Sequence, residues 1–247
     1  MKGYDAAGHW DRYAHLYEAM TAQADGWLDT AGCVAFLRPL AGAGPVLELG
    51  VGTGRVALPL AAEGVVVHGI DASPGMVERM RAKAGGDRIH VTIGDFSEVE
   101  LGERFPLVFV VYSTFLNLTS AEAQVRCFAN VARHLAPDGV FVLEADVPDV
   151  EGLAAGNQVQ VGRVEAGRVS LGAVSYDPLH QLENSQMILV SSEGIELHPI
   201  SIRYAWPSEL DLMARLAGLE LRERWADWRR TPFTAQSRRH VSVYARP

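Results

Sequence analysis

The sequence predicts an α/β fold, a doubly wound sheet of Rossmann-like type, and three observations carry that reading. Short β-branched runs alternate with helical stretches up to about residue 147, a glycine-rich turn follows the first of them, and acidic residues recur where successive strands end. Beyond residue 147 the alternation stops. Four extended segments then follow without a helix between them, which predicts an antiparallel β meander inserted before the sheet resumes.

The elements follow from local punctuation. Val46-Leu47-Glu48-Leu49 reads as a strand running into Gly50-Val51-Gly52-Thr53-Gly54, after which Arg55 to Glu63 place apolar residues at helical spacing and stop at Gly64. Val65 to Ile70 form a second strand ending at Asp71. Ser73-Pro74 supply an N-cap and a proline at the first helical position, opening a helix through Lys83. Ile89 to Ile93 make a third strand, closed by Gly94-Asp95. Leu107 to Tyr112 is continuously apolar, as expected of a strand covered on both faces. Thr119-Ser120-Ala121-Glu122 has capping-box spacing ahead of a helix carrying Val125, Phe128, Val131, Ala132 and Leu135, which ends before Pro137-Asp138-Gly139. A fifth strand spans Val140 to Glu144. Asn157 to Glu165, Arg168 to Tyr176, Gln181 to Ser191 and Ile195 to Tyr204 are the meander, with turns such as Glu165-Ala166-Gly167 and Ser192-Glu193-Gly194. Pro207 to Ala217 returns to helix, and Leu219 to Trp225 and Val241 to Ala245 are the closing strands.

Composition narrows the function classes. With 247 residues, 48% of them hydrophobic and 21% charged, the chain can bury a sizeable core, which excludes disordered and fibrous classes. The 30 acidic residues outnumber the 22 Lys and Arg, for a net charge of -8, so general nucleic-acid affinity is not expected. The longest apolar runs, such as Leu107 to Tyr112 and Val140 to Leu143, fall far short of the roughly 20 residues of a membrane span. The N-terminus lacks the apolar stretch of a secretory signal, and the expected location is the cytoplasm. Cys33 and Cys127 show no metal spacing and read as buried, reduced residues. Arg222, Arg224, Arg229, Arg230, Arg238 and Arg239 crowd the C-terminal end, either as a salt-bridged face or as a site for an anionic group.

The glycines at 50, 52 and 54 give G-x-G-x-G, and Arg55 stands where a dinucleotide fingerprint requires glycine, which counts against NAD. Asp71 lies 17 residues past Gly54, and Asp95 lies 24 further on. A carboxylate at the tip of the second strand can accept two ribose hydroxyls, and one after the third can accept an adenine amino group. Together they describe an adenosine site.

Glu48-Leu49-Gly50-Val51-Gly52-Thr53-Gly54, Gly69-Ile70-Asp71-Ala72-Ser73-Pro74-Gly75-Met76 and Gly94-Asp95-Phe96 resemble the first three motifs of class I S-adenosylmethionine-dependent methyltransferases. The likeness spans roughly residues 10 to 147 and the final two strands. It implies a seven-stranded sheet, S-adenosylmethionine as cofactor and S-adenosylhomocysteine as product. Gly50, Gly52 and Gly54 would then let the backbone approach the methionine portion, Asp71 would hold the ribose, Met76 would pack on the adenine, and Asp95 with Phe96 would contact its edge and face. Glu48, Arg55, Ala72 and Gly94, within or beside these motifs, join the cofactor-binding set.

Tyr13-Ala14-His15-Leu16-Tyr17-Glu18 is similar to the Tyr-bearing helix that covers the cofactor in small-molecule members of the family, including amino-sugar N-methyltransferases. Tyr17 would point into the site and Trp10 or Tyr13 would belong to a lid, or these aromatics would merely staple a helix to the sheet. After the fourth strand the family places residues facing cofactor and acceptor. Tyr112, Ser113 and Asn117 are the candidates here, and the Asn-Pro-Pro-Tyr signature of nucleobase or glutamine methylation is absent. Some amino-sugar enzymes carry histidine at the position corresponding to Asn117, and asparagine cannot act as a base. His180 and His198, in the meander expected to cover the site mouth, are the remaining base candidates. Tyr204-Ala205-Trp206, Trp225, Trp228 and Arg230 would either wall an acceptor pocket or serve the core.

The resemblance therefore divides the chain into a helical lid (1–40), a cofactor-binding core (41–147 and 206–247) and a β insertion over the acceptor site (148–205). It implies methyl transfer to nitrogen or oxygen of a small natural-product-like acceptor, with an amine favoured because no strong base is visible. Alternatives are an N-terminal peptide amine as acceptor and a silent cofactor-binding regulator. The expected partners are the small acceptor and at most a second copy of the chain, with no metal, nucleic acid or membrane.

Overall fold

The structure, a computed structural model, describes residues 1, 3–22 and 28–247, so parts of the expected 1–40 lid (residues 2 and 23–27) lie outside the described residues. The chain begins with α1 (Ala6–Ala22) and α2 (Thr30–Leu37), then alternates β1 (Val46–Leu49), α3 (Ala57–Ala62), β2 (Val67–Asp71), α4 (Pro74–Arg81), β3 (His90–Ile93), β4 (Phe105–Val110), α5 (Ala121–His134) and β5 (Leu135–Asp146). A short helix, α6 (Val150–Ala155), precedes the meander of β6 (Gln158–Glu165), β7 (Arg168–Asp177), β8 (Leu182–Ser191) and β9 (Gly194–Arg203). The chain closes with α7 (Pro207–Leu216), β10 (Glu220–Trp225) and β11 (Arg239–Ala245).

Seven strands form one sheet in the order β10-β11-β5-β4-β1-β2-β3, and β6 to β9 form a second, antiparallel sheet. In the larger sheet only β11 runs against its neighbours. After β1 the chain builds outward through β2 and β3, then returns to β1's other side with β4. The carboxyl ends of β1 and β4 thus flank the point where the winding reverses, which is where doubly wound sheets open a crevice.

Burial explains why these runs are strands. Along β4, Phe105, Val108 and Val110 enter one core with Phe115, Phe128, Phe141 and Tyr244, whereas Leu107 and Phe109 enter the other with Leu37, Leu60 and Trp228. Both faces are covered, so the strand is apolar throughout. In the second sheet β6 is an edge strand, with Val159, Val161 and Val164 exposed. That sheet is anchored at the end of β9 by Arg203. Its guanidinium donates to Gln124 on α5 (2.6 Å), to Gln181 (2.7 Å) and to Glu209 on α7 (2.7 Å). A buried cation needs such full pairing.

The structure differs from the sequence expectations at several boundaries. β4 ends at Val110 rather than Tyr112, because Tyr112 and Ser113 adopt left-handed backbone (φ 55° and 53°) and cannot continue a ladder. α3 begins at Ala57 rather than Arg55. α5 is capped by Ser120, whose hydroxyl accepts from the Ala123 N–H at 3.1 Å, and not by Thr119 with Glu122. α6 was not expected; Asp149 caps it by accepting from the Glu151 N–H. Among the described residues no helix is long and apolar enough to cross a membrane.

The capping assignment is testable by urea denaturation: Ser120→Ala should cost about 1 kcal/mol of stability, and Thr119→Ala should leave the midpoint nearly unchanged. The reverse ranking would return the cap to Thr119.

Candidate functional site

The glycine turn after β1 packs closely on its surroundings. At Gly50 (φ 73°) a Cβ would lie 2.4 Å from Thr114 Cγ2 in the loop after β4, so a side chain here would push that loop away. Gly50 and Gly52 line a cavity of about 570 Å³ at the carboxyl edge of the sheet. Gly54 does not. It faces Met80 and Leu58, and Gly94 faces Val99, so these two expected cofactor contacts are instead positions where backbone packs against side chains.

Asp71, at the tip of β2, ties the edge together. Its Oδ2 accepts from the Gly52 N–H at 2.7 Å and its Oδ1 from the Ser73 N–H at 2.8 Å, joining the glycine turn to the start of α4. Burial nevertheless pushes its pKa up, against these bonds. Glu48 is 2% exposed, its Oε2 has no hydrogen-bond partner, and burial raises its pKa to about 8 while nearby Arg55 opposes the shift. Arg55 lies with its guanidinium 5.3 Å from the Tyr112 ring centre and donates to Thr30 Oγ1. Met76 and Phe96 give the cavity apolar walls, and Ala72, Asp95, Tyr112 and Asn117 complete the expected lining.

The opposite rim is the loop after β4. The Tyr112 N–H donates to Glu144 Oε2 at 2.7 Å, and Ser113 Oγ donates to Asp146 Oδ2 at 2.7 Å while accepting from the Asp146 N–H. Trp228 Nε1 donates to the other Glu144 oxygen. Two consecutive left-handed non-glycine residues are strained, and the acids of β5 hold them. Asn117 donates through Nδ2 to Thr114 O, which leaves its buried Oδ1 without a partner. Glu144 and Asp146 were not anticipated from the sequence as site residues, whereas Trp228 was among the aromatic candidates. The available signal was the pair of acids two residues apart on an otherwise apolar strand.

α1 closes the cavity from above. Trp10 and Tyr17 line it, edge to face at 5.9 Å, and burial raises the Tyr17 phenol pKa with Arg55 opposing. Tyr13 is a staple: its hydroxyl donates to Leu197 O on β9, and its ring meets His198 at 4.5 Å. Asp11 accepts from the Gly75 N–H at 2.6 Å and from Ser73 Oγ, a favourable carboxylate at the N-terminus of α4.

Neither His180 nor His198 lines the cavity. His180 is exposed in the β7–β8 turn, paired with Asp177 at 2.7 Å. His198 is buried beneath Tyr13, 3.5 Å from Glu196, and neither of its ring nitrogens is hydrogen-bonded. The C-terminal arginines form a salt-bridged face: Arg224 pairs with Asp211, Arg229 with Asp29, Arg230 with Glu223 and Arg238 with Asp149. Arg239 faces Glu144 and Asp146, and Arg222 donates to Arg246 O. Of the aromatic set, Tyr204 and Trp228 line a wider cleft of about 1290 Å³ beside the cavity; Trp206, Trp225 and Arg230 do not.

The residues present can receive an adenosyl group bearing a cationic tail. The cavity offers carboxylates for hydroxyl, amino and ammonium donors at Asp71, Asp95 and Glu48, apolar walls at Met76 and Phe96, and a buried acceptor at Glu48 still without a donor. No cluster of metal-ligating side chains exists among the described residues.

Comparison with known proteins agrees with this chemistry. A family model described as a methyltransferase domain matches residues 46–139. The solved CcbJ methyltransferase of Streptomyces caelestis superposes with a TM-score of 0.87 at 40% identity, covering 98% of this chain and 99% of its own. A cypemycin N-terminal methyltransferase from a Streptomyces species is 29% identical over 223 residues, 87% of this chain and 89% of the relative. A dTDP-4-amino-2,3,4,6-tetradeoxy-D-glucose N,N-dimethyltransferase from Saccharopolyspora spinosa is 33% identical over 135 residues, 53% of each chain.

The raised pKa of Glu48 has a definite sign in stability. The native state holds this proton more tightly than the unfolded chain, so between pH 4.5 and about 8 the Glu48 contribution declines as pH rises. Urea denaturation across this window should show the stability of Glu48→Gln rising relative to the parent as pH increases. A difference independent of pH would mean that Glu48 ionises normally.

Proposed function

Because the chain belongs to the S-adenosylmethionine-dependent methyltransferases, we propose that it methylates an amine nitrogen of a small natural-product-like acceptor. The observation that carries this reading is the cavity at the winding reversal, whose lining is rich in carboxylates and contains no histidine among the described residues. Two of the relatives are named for transfer to nitrogen, one at a peptide N-terminus and one at a sugar amine.

In this reading Asp71 keeps its two backbone bonds and uses its remaining lone pairs for ribose hydroxyls, Asp95 meets the adenine edge, and Met76 and Phe96 flank its faces. Glu48 receives the cationic end of the amino-acid tail. When bound, S-adenosylmethionine supplies a methyl group on a sulfonium, activated for direct displacement, and S-adenosylhomocysteine is the product. The protein's own work is alignment and exclusion of water. Trp10 and Tyr17 cover the cavity, the Tyr112 to Asn117 loop faces the acceptor, and residues 148–205 form the acceptor-side cover. An acceptor amine loses its proton before transfer, and positioning suffices thereafter.

A peptide N-terminal amine is the second reading, supported by the relative that matches across 87% of this chain. Incubation with methyl-labelled S-adenosylmethionine and a panel of amino sugars, short peptides with free α-amines and their hydroxyl analogues separates the cases. Label on amines alone supports the proposal, and label on hydroxyls alone overturns it.

Two substitutions test the positioning mechanism. Tyr17→Phe should lower turnover with the melting temperature nearly unchanged, since one hydroxyl is lost and the packing is kept. His180→Ala should retain turnover within about tenfold, roughly 1.4 kcal/mol of barrier. A loss on the order of 10²–10⁴ in that folded variant would indicate a general base.

A further inference from the structure

One carboxylate belongs to both openings of the molecule. Asp146, the last residue of β5, lines the 570 Å³ cavity and the 1290 Å³ cleft, and Ile202 is the other residue common to the two linings. Any group that enters from the cleft to meet the donor passes this side chain. Asp146 is 43% exposed, and it is fixed in place by Ser113, whose hydroxyl both donates to Oδ2 and accepts from the Asp146 N–H. Asn117 also lines the cavity, its Nδ2 committed to Thr114 O. The junction therefore holds a carboxylate, with Arg239 at 3.8 Å on one side of it, and a ligand with N–H bonds would be served by its remaining lone pairs.

The cleft beyond has the matching charge. Six carboxylates, Asp29, Asp146, Asp149, Glu151, Glu183 and Asp227, line it against three guanidiniums, and each of those arginines already faces a carboxylate. The Glu183 carboxylate makes no ion pair or side-chain hydrogen bond among the described residues. Burial, with the charges of Asp146 and Asp149, pushes its pKa up, as expected where negative charge lacks a counterion.

We propose that Asp146 receives the N–H bonds of the acceptor at this junction and makes the enzyme bind an ammonium-bearing acceptor in preference to its hydroxyl counterpart. This rests on the methyltransferase reading above and adds the residue that decides the acceptor class. The neighbouring Tyr176 and Tyr204 give the acceptor's body an aromatic wall, and Glu183 adds to the field.

The test uses two probes with the same ring and one different polar group, cyclohexylamine and cyclohexanol, titrated near neutral pH into protein saturated with S-adenosylhomocysteine and followed by NMR. The parent should bind the amine about tenfold more tightly than the alcohol, a difference of roughly 1.4 kcal/mol. Asp146→Asn, whose amide oxygen can still accept from Ser113 Oγ and so keep the loop, should erase that preference in protein that still binds S-adenosylhomocysteine. Added salt offers a second readout that needs no variant: it should weaken the amine's advantage in the parent and leave the alcohol unaffected. Equal binding of the two probes, a preference retained in folded Asp146→Asn, or an advantage indifferent to salt would overturn the proposal. Failure of the parent to bind S-adenosylhomocysteine would instead overturn the methyltransferase reading.

Discussion

The architecture of the site depends on two acids at the end of one strand holding the loop that leaves its neighbour. Glu144 and Asp146, two residues apart on β5, lie 32 and 33 positions from the Tyr112 N–H and Ser113 hydroxyl that they bind. Without them the left-handed pair would relax, since each such residue costs on the order of 1–3 kcal/mol unless its surroundings fix it. That loop sets how closely Thr114 approaches Gly50, and so how the two rims of the cavity face each other. The acids are themselves positioned by β11, which pairs Arg239 with Asp146 and Val241 with Glu144 in register, and by Trp228. The reversal of winding opens the crevice, and these bonds give it shape.

Electrostatics follow from the same layout. Glu48, Asp71 and Glu144 are carried into the sheet edge by strands that are largely apolar, and burial lifts the pKa of all three. Backbone N–H groups and Arg55 compensate only in part. A negative, partly unsatisfied wall of this kind favours cationic ligands, in keeping with a sulfonium donor on one side and an amine on the other.

The fold was legible where local chemistry decides it. Buried parallel strands are continuous apolar runs, and Gly50 to Gly54, Ser73-Pro74 and Gly94-Asp95 punctuate them, so strand ends and the acids at their tips could be read directly. The meander was legible from its turns. What escaped notice depends on pairing between distant segments. Glu144 looked like the end of a strand, because its partner at Tyr112 belongs to another loop. Gly54 and Gly94 sit within motifs but answer to Met80, Leu58 and Val99. His198 had the right chemistry and the wrong neighbour, since Tyr13 covers it. Nothing within a few residues of these positions announces such contacts.

The anchoring of the second sheet has a bearing on descent. Its strands pair only with one another, and Arg203, with Gln181 and Tyr13, ties the sheet to α5, α7 and α1. The recognisable family domain ends at residue 139, before Asp146 and before any strand of that sheet. The second sheet thus lies beyond the recognised domain, and only its last strand, through Ile200 and Ile202, reaches the cavity. Residues on β6 to β8 can change around a retained Arg203 without touching the glycine turn or Asp71. Diversity of acceptors among enzymes of one ancestry is what such a joint permits.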